Sequence, residues 1–206
     1  MNGLKVIVAD GQDDVAKLTA IVHSEPTLWK GTVLDVGARS GVLKGLLPNT
    51  TNYVGLDLRA PTSVIGDLQS GLPFIDQSFS TVLALDVLEH TDDIYRSFRE
   101  ICRVAHEHVA VCLPNAFEIR SRIRFLGGRI SGKYGLPVTP PNDRHKWIFT
   151  FTEARRFVNH NCSAQGFKVS YEACLIGKSR KSVGTHSITF FPDLIAQWYF
   201  TVLSRY

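Results

Sequence analysis

The stretch Val33-Leu34-Asp35-Val36-Gly37-Ala38-Arg39-Ser40-Gly41-Val42-Leu43 decides how this chain is read. It opens as a short apolar run broken by one acid, the pattern of a strand buried on both faces. Glycines at 37 and 41 then mark a turn, and a helical stretch follows that ends before Pro48. Such a turn brings backbone close to a ligand, because a Cβ at either glycine would obstruct the approach or the bend. A nucleotide-like ligand at the strand end is expected. Two phosphate-binding loops are excluded by spacing. A G-x-G-x-x-G fingerprint would need glycines where Arg39 and Val42 stand, and a Walker A loop would need glycine, lysine and a hydroxyl residue where Val42, Leu43 and Lys44 stand.

Working outward, a second strand at 52–57 ends on Asp57, whose carboxylate can accept from both hydroxyls of a ribose. Asp35 lies between Leu34 and Val36, and a buried carboxylate needs partners. It is expected to orient the glycine turn or, through water, the ligand. A short strand near 64–67, a strand at 81–86, a helix from about 92 to 104 and a strand at Val109–Leu113 continue the alternation. A helix over 12–23 precedes it, with Val15, Leu18, Ile21 and Val22 on one stripe. A helix from Thr152 to about Asn161 and strands near 166–176 and 185–191 follow. Strands alternating with helices demand a parallel sheet covered on both faces. Residues 114–147, rich in Arg, Gly and Pro, break the rhythm and read as an insertion over the site. The run Ser187–Leu203 reads as a terminal strand and helix, with a membrane-surface or partner contact as the alternative.

The order of motifs resembles the class I S-adenosylmethionine-dependent methyltransferases, and within them the small-molecule (type 11-like) subgroup. The residues carrying it are Val33 to Gly41, Asp57, the segment Gly66-Asp67-Leu68 through Leu72-Pro73-Phe74 to Ser80, and Leu85-Asp86-Val87-Leu88-Glu89-His90. Pro114-Asn115 and His145 ahead of Phe149-Thr150-Phe151-Thr152 are similar too. The resemblance implies an α/β, Rossmann-like, seven-stranded and mostly parallel sheet in a three-layer sandwich, all in one domain over 1–206. It implies S-adenosylmethionine as cofactor and S-adenosylhomocysteine as product. Asp35 and Gly37, Ala38, Arg39, Ser40 and Gly41 would serve the methionine part, Asp57 and Leu58 the ribose, and Asp67 and Leu68 the adenine. Leu85, Asp86 and Val87 would border the methyl group. His90 or His145 would accept a proton if the acceptor needs to lose one. No metal ligands are assigned. Two residues depart from the pattern: Arg39 replaces a middle glycine, and Ser80 an acid. The Arg39 guanidinium is expected to point outward.

Composition bounds the rest. With 206 residues and 44% apolar, the chain can bury one substantial core. A net charge of +4, from 23 basic and 19 acidic residues, only mildly favours acidic partners. Cys102, Cys112, Cys162 and Cys174 form no C-x-x-C pair and read as buried, reduced thiols. No targeting signal is read, so a cytoplasmic location is expected. The acceptor is expected to be a small molecule or lipid- or glycan-linked. The rivals are a cofactor-binding regulatory or scaffold protein without methyl transfer, and a nucleic-acid methyltransferase using Arg120 to Arg129. The latter lacks the N-P-P-Y type of strand end, and a nucleic-acid partner is not expected. The opening Lys5–Asp10 resembles the first strand of a response regulator, a reading that leaves the glycine turn unexplained.

Overall fold

The computed structural model describes residues 3–11, 13–59, 61–130, 133–141 and 144–206. Eight strands among them form one sheet: β1 (Lys5–Ala9), β2 (Thr32–Val36), β3 (Asn52–Asp57), β4 (Val64–Ile65), β5 (Phe79–Leu85), β6 (Ala105–Pro114), β7 (Phe167–Gly177) and β8 (Trp198–Arg205). Their order is β1-β7-β8-β6-β5-β2-β3-β4. Only β8 runs against its neighbours, β6 and β7, and every other pair is parallel. The parallel strands therefore end along one edge of the sheet. Chain order reverses between β2 and β5, which opens a crevice at that edge.

The helices are α1 (Asp14–Ser24), α2 (Ile94–Val104), α3 (Ile119–Leu126), α4 (Phe151–Cys162), α5 (Thr185–Phe190) and α6 (Pro192–Ile195). Side chains alternate across each strand, so the sheet feeds two cores. Val109, Val111 and Leu113 of β6 pack with Phe98 and Ile101 of α2 and with Phe151 and Val158 of α4. Ala110 and Cys112 point the other way, to Ile21 and Val22 of α1 and to Trp29. Local chemistry fixes the helix starts. Asp13 and Asp93 accept from Ala16 and Arg96 amides to cap α1 and α2, and Thr150 with Glu153 forms a capping box on α4. All four cysteines are buried and free. No helix among the described residues is long and apolar enough to cross a membrane.

Three expectations change. The sheet has eight strands rather than seven, because the opening Lys5–Ala9 pairs with β7 at its edge. The strand expected near 185–191 is helical (α5), despite its β-branched and aromatic residues. Pro192 cannot donate to a ladder, and the slot between β6 and β7 goes to the longer apolar run Trp198–Arg205. The order within Ser187–Leu203 is also reversed, helix before strand, and of its apolar residues Tyr199, Phe200 and Leu203 are fully buried while Phe190 and Phe191 are exposed. Phe200→Ala should therefore cost about 3–5 kcal/mol in urea unfolding. A loss below about 1 kcal/mol would return this segment to the surface.

Candidate active site

The crevice is built by the turn that closes β2. Gly37 and Ala38 amides both donate to the Leu56 carbonyl, at 2.8 and 3.1 Å, which tucks the turn against the end of β3. The next amide, Arg39, donates to the Asp57 carboxylate at 2.8 Å. Gly37 and Gly41 have φ of 77° and 72°, the left-handed region that glycine enters without steric cost. The need at Gly37 is also one of packing, since a Cβ there would come within 2.4 Å of the Val87 side chain. Gly41 has open space around it, so only the bend requires it. Arg39 adopts φ 48° without being glycine, and so does Asp86 at the end of β5, with φ 55°. Non-glycine residues held there cost free energy and gather at functional sites. The Arg39 side chain is 60% exposed and turns outward, 3.7 Å from Asp14. Ser80, the other departure, exchanges hydrogen bonds with Thr32 at the start of β2 and β5.

Three cavities meet at Asp86. The first, about 400 Å³, is bordered by Gly37, Asp57, Asp67, Leu68, Val87 and His90, with Leu58 and Arg39 on its rim. Asp67 also caps the turn Leu68–Ser70 by accepting from the Gln69 amide. The second, about 230 Å³, brings together Asp35, Ala38, Ser40 and Leu85 with Asp14 and Lys17. The third, about 240 Å³, holds Glu89, Asn115, Tyr134 and His145. Of the residues expected at the cofactor, Gly41 alone borders neither of the first two cavities.

Lys17 escaped the sequence reading. It lies on α1 and is 5% exposed, whereas Val15, placed on the core stripe, is 47% exposed. Its ammonium pairs with Asp86, sits 3.2 Å from Asp14 and lies over the Trp198 ring. Burial alone would lower this amine, but Asp86 and Asp14 outweigh it and hold it above its ordinary value. The readable signal was its spacing: Lys17 and Ile21 are one helical turn apart, on the same face. Tyr53 was missed as well, and its hydroxyl donates to Asp35 at 2.8 Å.

Glu89 is fully buried, and among the described residues neither carboxylate oxygen has a hydrogen-bond partner. Burial, with Asp86 nearby, pushes its carboxyl well above the usual range. His90 and His145 lie 3.9 and 4.0 Å from it, with their rings edge to face. This donor set suits a shared proton, and its three ligand atoms lie close enough together, within 4.8 Å, to suit a divalent cation. The two histidines divide the site. His90 borders the first cavity and bonds the Arg144 carbonyl through Nδ1, while His145 borders the third.

Burial pushes the Asp35 carboxyl up to about 7, against the pull of the Tyr53 hydroxyl and with the help of Asp57. The unfolded chain releases this proton near ~4, so the folded state loses stability as pH climbs from there to about 7. Above that window the group has no further effect. Asp35→Asn should flatten the fall in unfolding free energy between about pH 4 and about pH 7, read by urea titration. An unchanged slope would mean that Asp35 is ionised throughout.

Residues 34–113 match a family model described as a methyltransferase domain. No curated protein matches the chain. Among solved structures, a SAM-dependent methyltransferase from Archaeoglobus fulgidus superposes with a TM-score of 0.59 at 15% identity, covering 93% of this chain and 95% of that one. Magnesium protoporphyrin IX methyltransferase from Synechocystis PCC 6803, solved with bound SAH, gives 0.57 at 14% identity over 93% and 82%. A putative methyltransferase of Haloferax volcanii, in complex with the Trm112 methyltransferase activator, gives 0.58 at 17% over 91% and 88%. Residues 34–113 thus match a methyltransferase domain, and the chain as a whole has the fold of the class I S-adenosylmethionine-dependent methyltransferases.

Proposed function

We propose that this chain methylates a small-molecule or lipid- or glycan-linked acceptor in the cytoplasm, with the cofactor in the first two cavities and the acceptor in the third. The observation that carries the assignment is Asp86, whose buried Oδ1 has no hydrogen-bond partner among the described residues where all three cavities meet. An orphaned carboxylate oxygen is costly unless a positive or donating group arrives, and a sulfonium is such a group. The residues around it fit the cofactor. Asp57 would hold the ribose, Asp67 and Leu68 the adenine, and Gly37 to Ser40 with Asp35 the methionine part. Lys17 is the cation placed to take the methionine carboxylate. S-adenosylmethionine supplies, when bound, a methyl group on an electrophilic sulfonium.

The protein's own work is alignment and the handling of one proton. The acceptor's nucleophilic atom has to meet the methyl group near Asp86. His145 borders that space and would take the acceptor's proton. Glu89 lies 4.0 Å away, and where its carboxyl is already ionised it would favour the imidazolium that forms, so the pair takes up one proton in all. His90, bonded to the Arg144 carbonyl, would position the 144–147 segment rather than touch the acceptor.

Asp57→Ala should weaken S-adenosylhomocysteine binding by about 1–3 kcal/mol, roughly 5- to 150-fold, in calorimetry. With methyl-labelled cofactor and a fractionated cell extract, label should enter the small-molecule or organic-soluble fraction. Label in nucleic acid, or cofactor binding with no transfer to any fraction, would contradict this reading.

A further inference from the structure

Helix α3 lies in the insertion and buries none of its eight residues. Ile119, Ile123 and Leu126 fall at i, i+4 and i+7, one stripe of the helix, and are 42, 61 and 86% exposed. Arginines at 120, 122 and 124 flank this stripe. A soluble protein has no reason to turn such a stripe outward unless something apolar covers it. On its other side the helix shares a groove with the body. Phe117, Phe125, Ile130 and Ile148, with Leu126 from the edge of the stripe, line about 440 Å³ of apolar space, and Arg122, Arg124 and Arg129 border it. Ser121 and Tyr134 line both this groove and the third cavity, so the two spaces adjoin.

We infer that the groove takes the hydrocarbon tail of an anionic amphiphile, the acceptor, whose anionic group meets Arg122, Arg124 and Arg129 at the groove's border and whose nucleophilic atom reaches the His145 cavity past Ser121 and Tyr134. The inference rests on the acceptor placement proposed above. Three features select this ligand class over a wholly polar one. The groove wall is apolar, its border carries guanidinium groups suited to a phosphate or carboxylate, and it adjoins the proposed reaction space at Ser121 and Tyr134. A membrane lying on α3 would use Ile119 and Ile123, which do not line the groove that holds the proposed ligand, while Leu126 borders both.

The test is calorimetry with octyl, decyl and dodecyl phosphate below their micelle concentrations, with inorganic phosphate as the headgroup control and S-adenosylhomocysteine titrated separately. Binding should tighten by up to about fourfold per methylene buried and be undetectable with inorganic phosphate. Phe125→Glu, at a residue 67% exposed and thus dispensable for folding, should weaken dodecyl phosphate at least tenfold and leave S-adenosylhomocysteine unaffected. Affinity that ignores chain length, equal binding of inorganic phosphate, or a variant that binds as wild type would each overturn the inference. So would binding to anionic phospholipid vesicles that Phe125→Glu abolishes, when no alkyl phosphate binds, since that result makes the face a membrane-docking surface. Loss of S-adenosylhomocysteine binding in wild type would instead refute the cofactor reading, while the alkyl phosphate series still judges the groove.

Discussion

The site depends on one carbonyl. Leu56 O accepts from both Gly37 and Ala38, and that double contact forces the chain to leave β2 at a right place and angle for the Arg39 amide to reach Asp57. The ends of two neighbouring parallel strands are thereby tied together, and the crevice between them is preformed. Each amide of the turn that would otherwise be buried without a partner finds one. The conformational cost falls on Gly37, which accepts it freely, and on Arg39, which does not.

The same turn arranges the charges. Asp35, behind it, is buried enough to hold its proton to about 7 and is steadied by Tyr53. Asp57, in front, is tied to the backbone and faces the largest of the three adjoining cavities. Asp86, Lys17 and Glu89 form a buried set in which two carboxylates share one ammonium's neighbourhood. Removing one member of such a set leaves the others uncompensated, which makes the arrangement sensitive to what binds beside it. A cofactor carrying both a sulfonium and a carboxylate can satisfy Asp86 and Lys17 together.

Much of this was legible in the sequence, for identifiable reasons. The strand-and-turn from Val33 to Gly41, the acid closing β3 and the Leu85-to-His90 strand end are local patterns, and local patterns survive folding. The helices expected from about 92 and from Thr152 start within two residues of those points, where Asp93 and Thr150 cap them through chemistry between residues three apart. What escaped reading was long-range or displaced. Lys17 meets Asp86 across 69 positions, and Asp14, its partner near in sequence, gives no sign of that contact. Glu89 sat inside a quoted motif without a role, because its isolation from hydrogen bonds is a property of the fold. The strand misplaced to 185–191 was read from propensity, and the competition between two β-prone runs for one slot was decided by pairing with β6 and β7.

The most direct measurement is a crystal structure with S-adenosylhomocysteine. The account predicts the ribose hydroxyls on the Asp57 carboxylate, the adenine beside Asp67 and Leu68, and the amino-acid end toward Lys17. A ligand seated in the His145 cavity, or one that leaves Asp57 without a contact, would contradict it.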